Sequence, residues 1–242
     1  MFEISYDLHI HSCLSPCGDD DMTPANIAGM AAVKGLDVIA LTDHNSSRNT
    51  PALVKHAGNY GVLAIAGMEL TTLEEVHVLA LFPAVENALD FDRFVYDRFI
   101  PFKNDPEVFG KQQIYDENDR VVGTEPNLLI NATGISFDEA FDAIDAFNGV
   151  MIPAHIDKST TSMLSNLGFV PEGSKFKCVE MRRMSGWHRV KEENPYLKSC
   201  NVITDSDAHY LCDINEPVNY LAVKSKTVDG VLQALDPRWV RR

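Results

Sequence analysis

Histidines and carboxylates in this chain gather in short clusters at the ends of apolar runs. The first is Asp7-Leu8-His9-Ile10-His11. In an extended strand alternate side chains share a face, so Asp7, His9 and His11 would point one way and Leu8 and Ile10 the other. Two imidazoles at such a spacing can hold one divalent ion. Groups of the same kind recur: Asp43-His44 ends a second apolar run, Glu69 ends a third, and His77 opens a fourth. His155 closes the run 150–154, and Asp207-Ala208-His209 follows the run 202–204. Of the eight histidines, only His56 and His188 fall inside helix-like segments, where they read as surface or packing residues. Histidines placed independently for structural reasons would not choose strand ends so consistently. Mixed imidazole and carboxylate donors suit Mn²⁺, Fe²⁺ or Zn²⁺. Clustered ions of this type neutralise a phosphate ester, make hydroxide from bound water and steady the leaving oxygen.

The elements that must position these groups alternate along the chain. A strand over 3–10 precedes a helix that starts at the cap Thr23-Pro24 and stops near Gly35. The near-continuous apolar run 37–42 is of the kind buried in a parallel sheet. A helix over 50–60 and strands over 62–68 and 76–82 follow, the last two joined by a very short connection. A capping box, Ser136-Phe137-Asp138-Glu139, opens a helix that ends near Gly149. Strands near 150–154, 178–181, 202–204 and 219–223 and a helix over 227–235 complete the order. Strand–helix repetition predicts a parallel sheet or barrel, with functional groups at the carboxyl ends of the strands. Between 83 and 131 the pattern loosens, and 113–122 resembles a small hairpin. The segment 86–126 is read as an insertion, either a lid over the site or a plain surface excursion.

Composition bounds the rest. The chain has 242 residues with a net charge of −14, enough length for one large α/β domain. A surface this acidic repels phosphate backbones, so a long nucleic acid is not an expected partner. The start of the sequence lacks a basic segment followed by an apolar run, and no apolar stretch approaches a membrane span. The five cysteines are scattered without the paired spacing of a thiolate zinc site, so free thiols in a reducing cytoplasm are expected. Oligomeric state leaves no signal.

Taken in order, the segments Asp7-Leu8-His9-Ile10-His11-Ser12, Leu41-Thr42-Asp43-His44-Asn45, Gly67-Met68-Glu69 with His77, Pro153-Ala154-His155 and Ser206-Asp207-Ala208-His209 resemble the motifs of the PHP (polymerase and histidinol phosphatase) family. The resemblance covers about residues 4–210. It implies a single catalytic domain over 1–242, a distorted (β/α)7 TIM-like barrel with three divalent metal ions, and phosphoester hydrolysis. It further implies that His9, His11 and Asp207 hold a first ion and that Glu69 bridges it to a third, completed by His77 and His155. His44 and His209 would hold the second ion with one more ligand from the loop after His11. That loop is longer than the common pattern and offers three adjacent aspartates. Counting back from Thr23-Pro24 favours Asp19, leaving Asp20 and Asp21 to charge the next helix N-terminus.

Asp7 and Asp43 lie beside histidine ligands and are read as carboxylates that orient imidazole rings, Asp43 having helix capping as its alternative role. Of Arg182 and Arg183, which face opposite ways on a strand, Arg183 is taken as the group that grips phosphate, with Lys158 as another candidate. The expected substrate is a small phosphorylated metabolite: a phosphomonoester such as a nucleotide or histidinol phosphate. Two other readings are carried. An amidohydrolase-like barrel also opens with a His-x-His strand, but it leaves Glu69 and Asp207-x-His209 unexplained. A PHP-like interaction module without catalysis would be expected to have lost ligands.

Overall fold

A computed structural model describes all 242 residues. Strand β1 (Phe2–Ile10) leads through helix α1 (Pro24–Lys34) to β2 (Val38–Leu41), and α2 (Thr50–Asn59) leads to β3 (Leu63–Thr71). Helix α1 begins as its sequence dictates. The Thr23 hydroxyl accepts the Asn26 N–H at 3.2 Å, Pro24 opens the first turn, and Gly35 closes the helix at φ 78°. Strands β1, β2 and β3 run parallel.

The next strand, β4 (His77–Phe82), breaks the expected parallel order. It pairs antiparallel with β3, from Thr71↔His77 to Ala66↔Phe82. The connection over 72–76 explains why, because a parallel crossover needs about a dozen residues or more. Helix α3 (Val85–Tyr96) and α4 (Pro106–Phe109) follow, then the hairpin of β5 (Gln113–Tyr115) and β6 (Val121–Thr124). Helix α5 (Phe137–Ala146) carries the expected capping box between Ser136 and Glu139. Strand β7 (Val150–Pro153) pairs antiparallel with β4. The short helix α6 (Met163–Asn166), β8 (Cys178–Glu180), α7 (Trp187–Glu193), β9 (Asn201–Ile203), β10 (Tyr220–Val223) and α8 (Val228–Leu235) complete the chain.

The main sheet has the order β10-β1-β2-β3-β4-β7, and β8 and β9 form a separate parallel pair. That pair lies across the opening of the curl. The Ile156 N–H donates to the Glu180 carbonyl at 2.9 Å on one side, and Ile10 bridges Ala208 on the other. The architecture is therefore a curled α/β half-barrel in which β4 runs against the strands on either side of it.

Three cores hold it. The interior is filled by Ile4, Tyr6, Leu8, Val38, Ala40, Ile65, Leu79, Leu81 and Ile152, with Val231, Leu232 and Leu235 of α8 packed among them. Outside, Ile10, Ile39 and Leu41 meet α1 and α2, while Met68, Ala80 and Phe82 meet α3 and α5. Helix α3 belongs to this framework: Phe91 is fully buried with its ring centroid 5.1 Å from that of Phe82. Residues 86–96 of the expected insertion 86–126 are thus part of the framework. The remainder lies on the loop that follows β1, where the Gln113 N–H donates to the Cys13 carbonyl at 3.0 Å and the Cys17 N–H to the Phe109 carbonyl at 3.2 Å. No helix is long and apolar enough to cross a membrane.

Candidate metal centre

Glu69, at the end of β3 and wholly buried, stands at the middle of the histidine cluster. Its Oε1 lies 2.8 Å from His77 Nδ1, 3.2 Å from His155 Nε2 and 3.3 Å from His9 Nε2. Its Oε2 lies 2.9 Å from His44 Nδ1 and 3.3 Å from His11 Nε2. The antiparallel turn of β4 is what makes this possible, because it brings the first residue of β4 level with the end of β3. Asp207 closes the side toward solvent, with Oδ1 3.5 Å from His9 Nε2 and 3.3 Å from His11 Nε2. The His209 ring stacks on His11 with centroids 4.2 Å apart.

These spacings suit coordination as well as hydrogen bonding. Nitrogen and oxygen ligands sit about 2.1 Å from a divalent ion, which sets neighbouring donors about 3.0 Å apart in an octahedron and about 3.4 Å apart in a tetrahedron. The contacts around Glu69, from 2.8 to 3.3 Å, overlap that range. His44 Nδ1 and Glu69 Oε2, although 2.9 Å apart, make no hydrogen bond with each other or with any other group, and His155 Nδ1 is also unpartnered. Buried polar atoms are rarely left so. His77 Nδ1 and His155 Nε2 hydrogen-bond Glu69 Oε1, whereas the facing pair His44 Nδ1 and Glu69 Oε2 is left unpartnered, which fits a bound cation. Three triplets have donor atoms within 4.8 Å of one another: His9, His11 and Glu69; His44, Glu69 and His77; and His11, His44 and His209.

The electrostatics agree. Burial pushes the His44 imidazole down to about 3 and that of His209 down to about 4, so both offer free lone pairs at neutral pH. Burial works against ionisation of Glu69, yet His77, His9 and His44 hold its carboxyl well below the usual range. His9 is raised well above its usual value, because Glu180, Glu69 and Asp207 outweigh the burial of its ring. A cation at Nε2 would displace the proton there and inherit Glu69 and Asp207, leaving Glu180 on the Nδ1–H.

A family model described as the PHP domain matches residues 7–142, more than half of the chain. The chain belongs to the PHP domain family. An uncharacterized protein of Methanocaldococcus jannaschii is 37% identical over 76 residues, which cover 28% of this PHP chain and 44% of that protein. The lesion-specific endonuclease of Pyrococcus furiosus superposes with TM-score 0.67 at 20% identity, over 98% of this chain and 56% of that one. The chain thus spans about half the length of these two relatives. A putative metal-dependent phosphoesterase from Bifidobacterium adolescentis superposes with TM-score 0.62 at 17% identity, over 98% of this chain and 96% of that one.

Around the donors, the PHP chain assigns its supporting residues differently from simple alternation. Asp7 does not touch a histidine ring. Its oxygens accept the N–H groups of Ser206 at 3.0 Å and Asn215 at 2.9 Å. The cause is an irregularity of register in β1 between Asp7 and Ile10. Leu8 packs in the interior and Ile10, two residues on, in the outer core, so alternation resets before His9. Asp7 is left on the opposite face. Glu180 takes the place expected of Asp7, with both oxygens 3.0 Å from His9 Nδ1. The one hint of it in the sequence is an acid ending the buried run Cys178-Val179-Glu180.

Asp43 works one step removed and caps no helix. It accepts the Ser12 N–H at 2.6 Å, the Ser12 hydroxyl at 2.7 Å and the Ser15 hydroxyl at 2.7 Å. The Ser15 oxygen in turn meets His11 Nδ1 at 3.0 Å and the His44 N–H at 3.1 Å. Ser15, to which the sequence alone assigns no role, is therefore the link between Asp43 and two donors.

Asp19 reaches the cluster through its backbone, whose N–H donates to the His209 carbonyl at 3.0 Å, while its Oδ1 accepts the Asp21 N–H at 2.9 Å. Its carboxylate joins none of the three triplets. Asp20 pairs instead with Lys111 at 2.7 Å. The segment 207–209 is not extended, because Asp207 adopts φ 54°, and His155 likewise adopts φ 31°. These left-handed residues turn donors into the site that regular strands would send elsewhere. Arg182 and Arg183 are exposed, and both contribute only backbone N–H groups, to Asp157. The cation at the mouth is Lys158, with Nζ 3.3 Å from Asp207 Oδ2.

Proposed function

We propose that the chain is a metal-dependent phosphoesterase acting on a small phosphorylated molecule, with divalent ions held by His9, His11, His44, Glu69, His77, His155, Asp207 and His209; Asp19 would join them only by turning its carboxylate away from the Asp21 N–H. The observation that carries this reading is the ring of five imidazoles on one buried carboxylate, with His44 Nδ1 and Glu69 Oε2 facing each other and unpartnered. When bound, the ions would be Mn²⁺, Fe²⁺ or Zn²⁺ and would neutralise the phosphoryl oxygens and activate water. The protein's own share is positional. Glu69 gathers donors from four strand ends, and Asp43 fixes the loop after β1 through Ser12 and Ser15. Lys158, ion-paired at the open side, is placed to swing from Asp207 to an arriving phosphate. Arg183, exposed and free of side-chain partners, is left as an outer contact for the substrate.

The Pyrococcus neighbour is a lesion-specific endonuclease, so a nucleic acid substrate is the second reading. The net charge of −14 opposes it for a long duplex. With Mn²⁺, the purified protein is expected to hydrolyse an aryl phosphate, and turnover should vanish after thorough chelation and return on adding metal. Parallel assays on an aryl amide and on an abasic-site oligonucleotide separate the alternatives. Undiminished phosphatase turnover in the chelated protein would sink the proposal.

The hairpin of β5 and β6 is proposed to shape substrate choice, since it sits on the loop that carries Ser12 and Ser15. Replacing 113–124 by a short linker is expected to change the ratio of kcat/KM between bulky and small phosphomonoesters by about tenfold. An unaltered ratio would remove the hairpin from recognition.

A further inference from the structure

We propose that Glu180 is a positioning residue that couples two of the ion sites, an inference that rests on reading the cluster as a metal centre. Glu180 ends β8 with its side chain 3% exposed. Both of its oxygens lie 3.0 Å from His9 Nδ1, and its Oε2 also accepts the His155 backbone N–H at 2.9 Å. The two histidines meet at Glu69 Oε1, His9 Nε2 at 3.3 Å and His155 Nε2 at 3.2 Å, and then diverge: His9 Nε2 also faces His11 Nε2 at 3.1 Å, whereas the His155 ring lies beside His77, with centroids 5.4 Å apart.

The carboxylate acts on each by its own route. An imidazole whose Nδ1–H is committed to a carboxylate presents a bare Nε2 lone pair, in a fixed ring plane and with raised basicity. That is the form His9 needs in order to ligate. His155 is held through its backbone. Its φ of 31° is one that residues other than glycine rarely adopt, so neighbouring bonds must impose it. Glu180 supplies two of them: its side chain takes the His155 N–H, and its carbonyl takes the Ile156 N–H at 2.9 Å. One residue thus sets the tautomer of one donor and the backbone turn of another. Removing it should loosen both together, a signature that a merely structural acid would not leave.

The test uses the full chain loaded with Zn²⁺, comparing Glu180→Ala and the isosteric Glu180→Gln with the parent. Asp37→Asn serves as the control. That carboxylate caps Ser5 at the opposite end of the barrel, by its N–H at 2.9 Å, and touches no donor. Both Glu180 variants are expected to bind metal about tenfold to a hundredfold more weakly, with the loss spread over two ions. In ¹⁵N-histidine-labelled protein, the slowly exchanging Nδ1–H of His9 should be present in the parent and lost in Glu180→Ala. Asp37→Asn should keep both the affinity and the signal, whatever it costs in thermal stability. Should Glu180→Ala fail to fold, Glu180→Gln decides, since it keeps the volume but offers a single acceptor oxygen. Wild-type affinity in the folded variant, a loss confined to one ion, or an unchanged His9 proton would each overturn the proposal. A parent protein that takes up no divalent ion would overturn the metal reading itself, and that result is visible before any variant is made.

Discussion

Replacing Glu69 by glutamine is expected to abolish most activity and to strip the protein of more metal than any single histidine substitution. The carboxylate has five imidazole neighbours within 3.3 Å. Glutamine keeps the shape but removes the negative charge and turns one acceptor oxygen into a donor, aimed at nitrogens that must themselves accept a cation. Residues that only orient a ligand cost about tenfold to a hundredfold when lost. Glu69 is placed to contact the ions directly, so its loss should exceed about a hundredfold. With Glu69 shared between two of three ions, as the family resemblance implies, elemental analysis should find about three ions per chain in the parent, and depletion at two of them in Glu69→Gln. His44→Ala should deplete mainly one. Normal metal content with normal turnover in Glu69→Gln would overturn the bridging role.

Asp43→Ala should combine the largest loss of stability at the site with a loss of activity. The side chain is wholly buried and accepts three hydrogen bonds from Ser12 and Ser15. Burial raises its pKa even though His11 and the serines favour the ionised form, so the carboxylate is costly to bury and is retained for what it organises. Without it the Ser12 N–H has no acceptor, and Ser15 loses the partner that orients it toward His11 and His44. Stranded buried donors cost about 1–3 kcal/mol each, partly relieved by rotation of the hydroxyls, which suggests about 2–4 kcal/mol in all. A chain of this size would then melt roughly 5–15 °C lower. Thermal unfolding of the chelated protein isolates this term from metal binding. A melting point within about 1 °C of the parent would show that the loop holds itself.

Much of the centre was legible because strand ends leave a mark. A histidine or acid directly after an apolar run stands out, and all six clustered histidines, with Glu69 and Asp207, were visible on that ground. What alternation could not supply was direction. Leu8 and His9 both face inward across the irregularity in β1, which turned the expected role of Asp7 over to Glu180. The reversal of β4 was in principle readable from the short connection over 72–76, but the surrounding strand–helix rhythm outweighed it. The left-handed turns at His155 and Asp207 leave only a weak sequence signal, since histidine and aspartate enter that region more readily than most residues but do not mark it as glycine does. Helix α3 was hidden inside the supposed insertion because its apolar face, Ala88, Phe91 and Val95, is interleaved with acids. Asp19 was favoured by spacing alone, and spacing does not say that its side chain turns toward the Asp21 N–H.

The bridge between Ile10 and Ala208 has a consequence for the order in which the molecule assembles. Glu69 and His77 are eight residues apart and meet across one hairpin. The Leu8 N–H, by contrast, finds Asp205 from 197 residues away, and the Ser206 N–H finds Asp7 from 199. Loop closure over such a span costs more entropy than closing one hairpin, so the hairpin donors are expected to be in place before His9 and His11 meet Asp207 and His209. A growing chain therefore carries half a coordination shell until its final strands dock. An ion that needs donors from both ends binds the closed chain alone and stabilises it by mass action. The metal centre is thereby a clasp that registers completion of the fold.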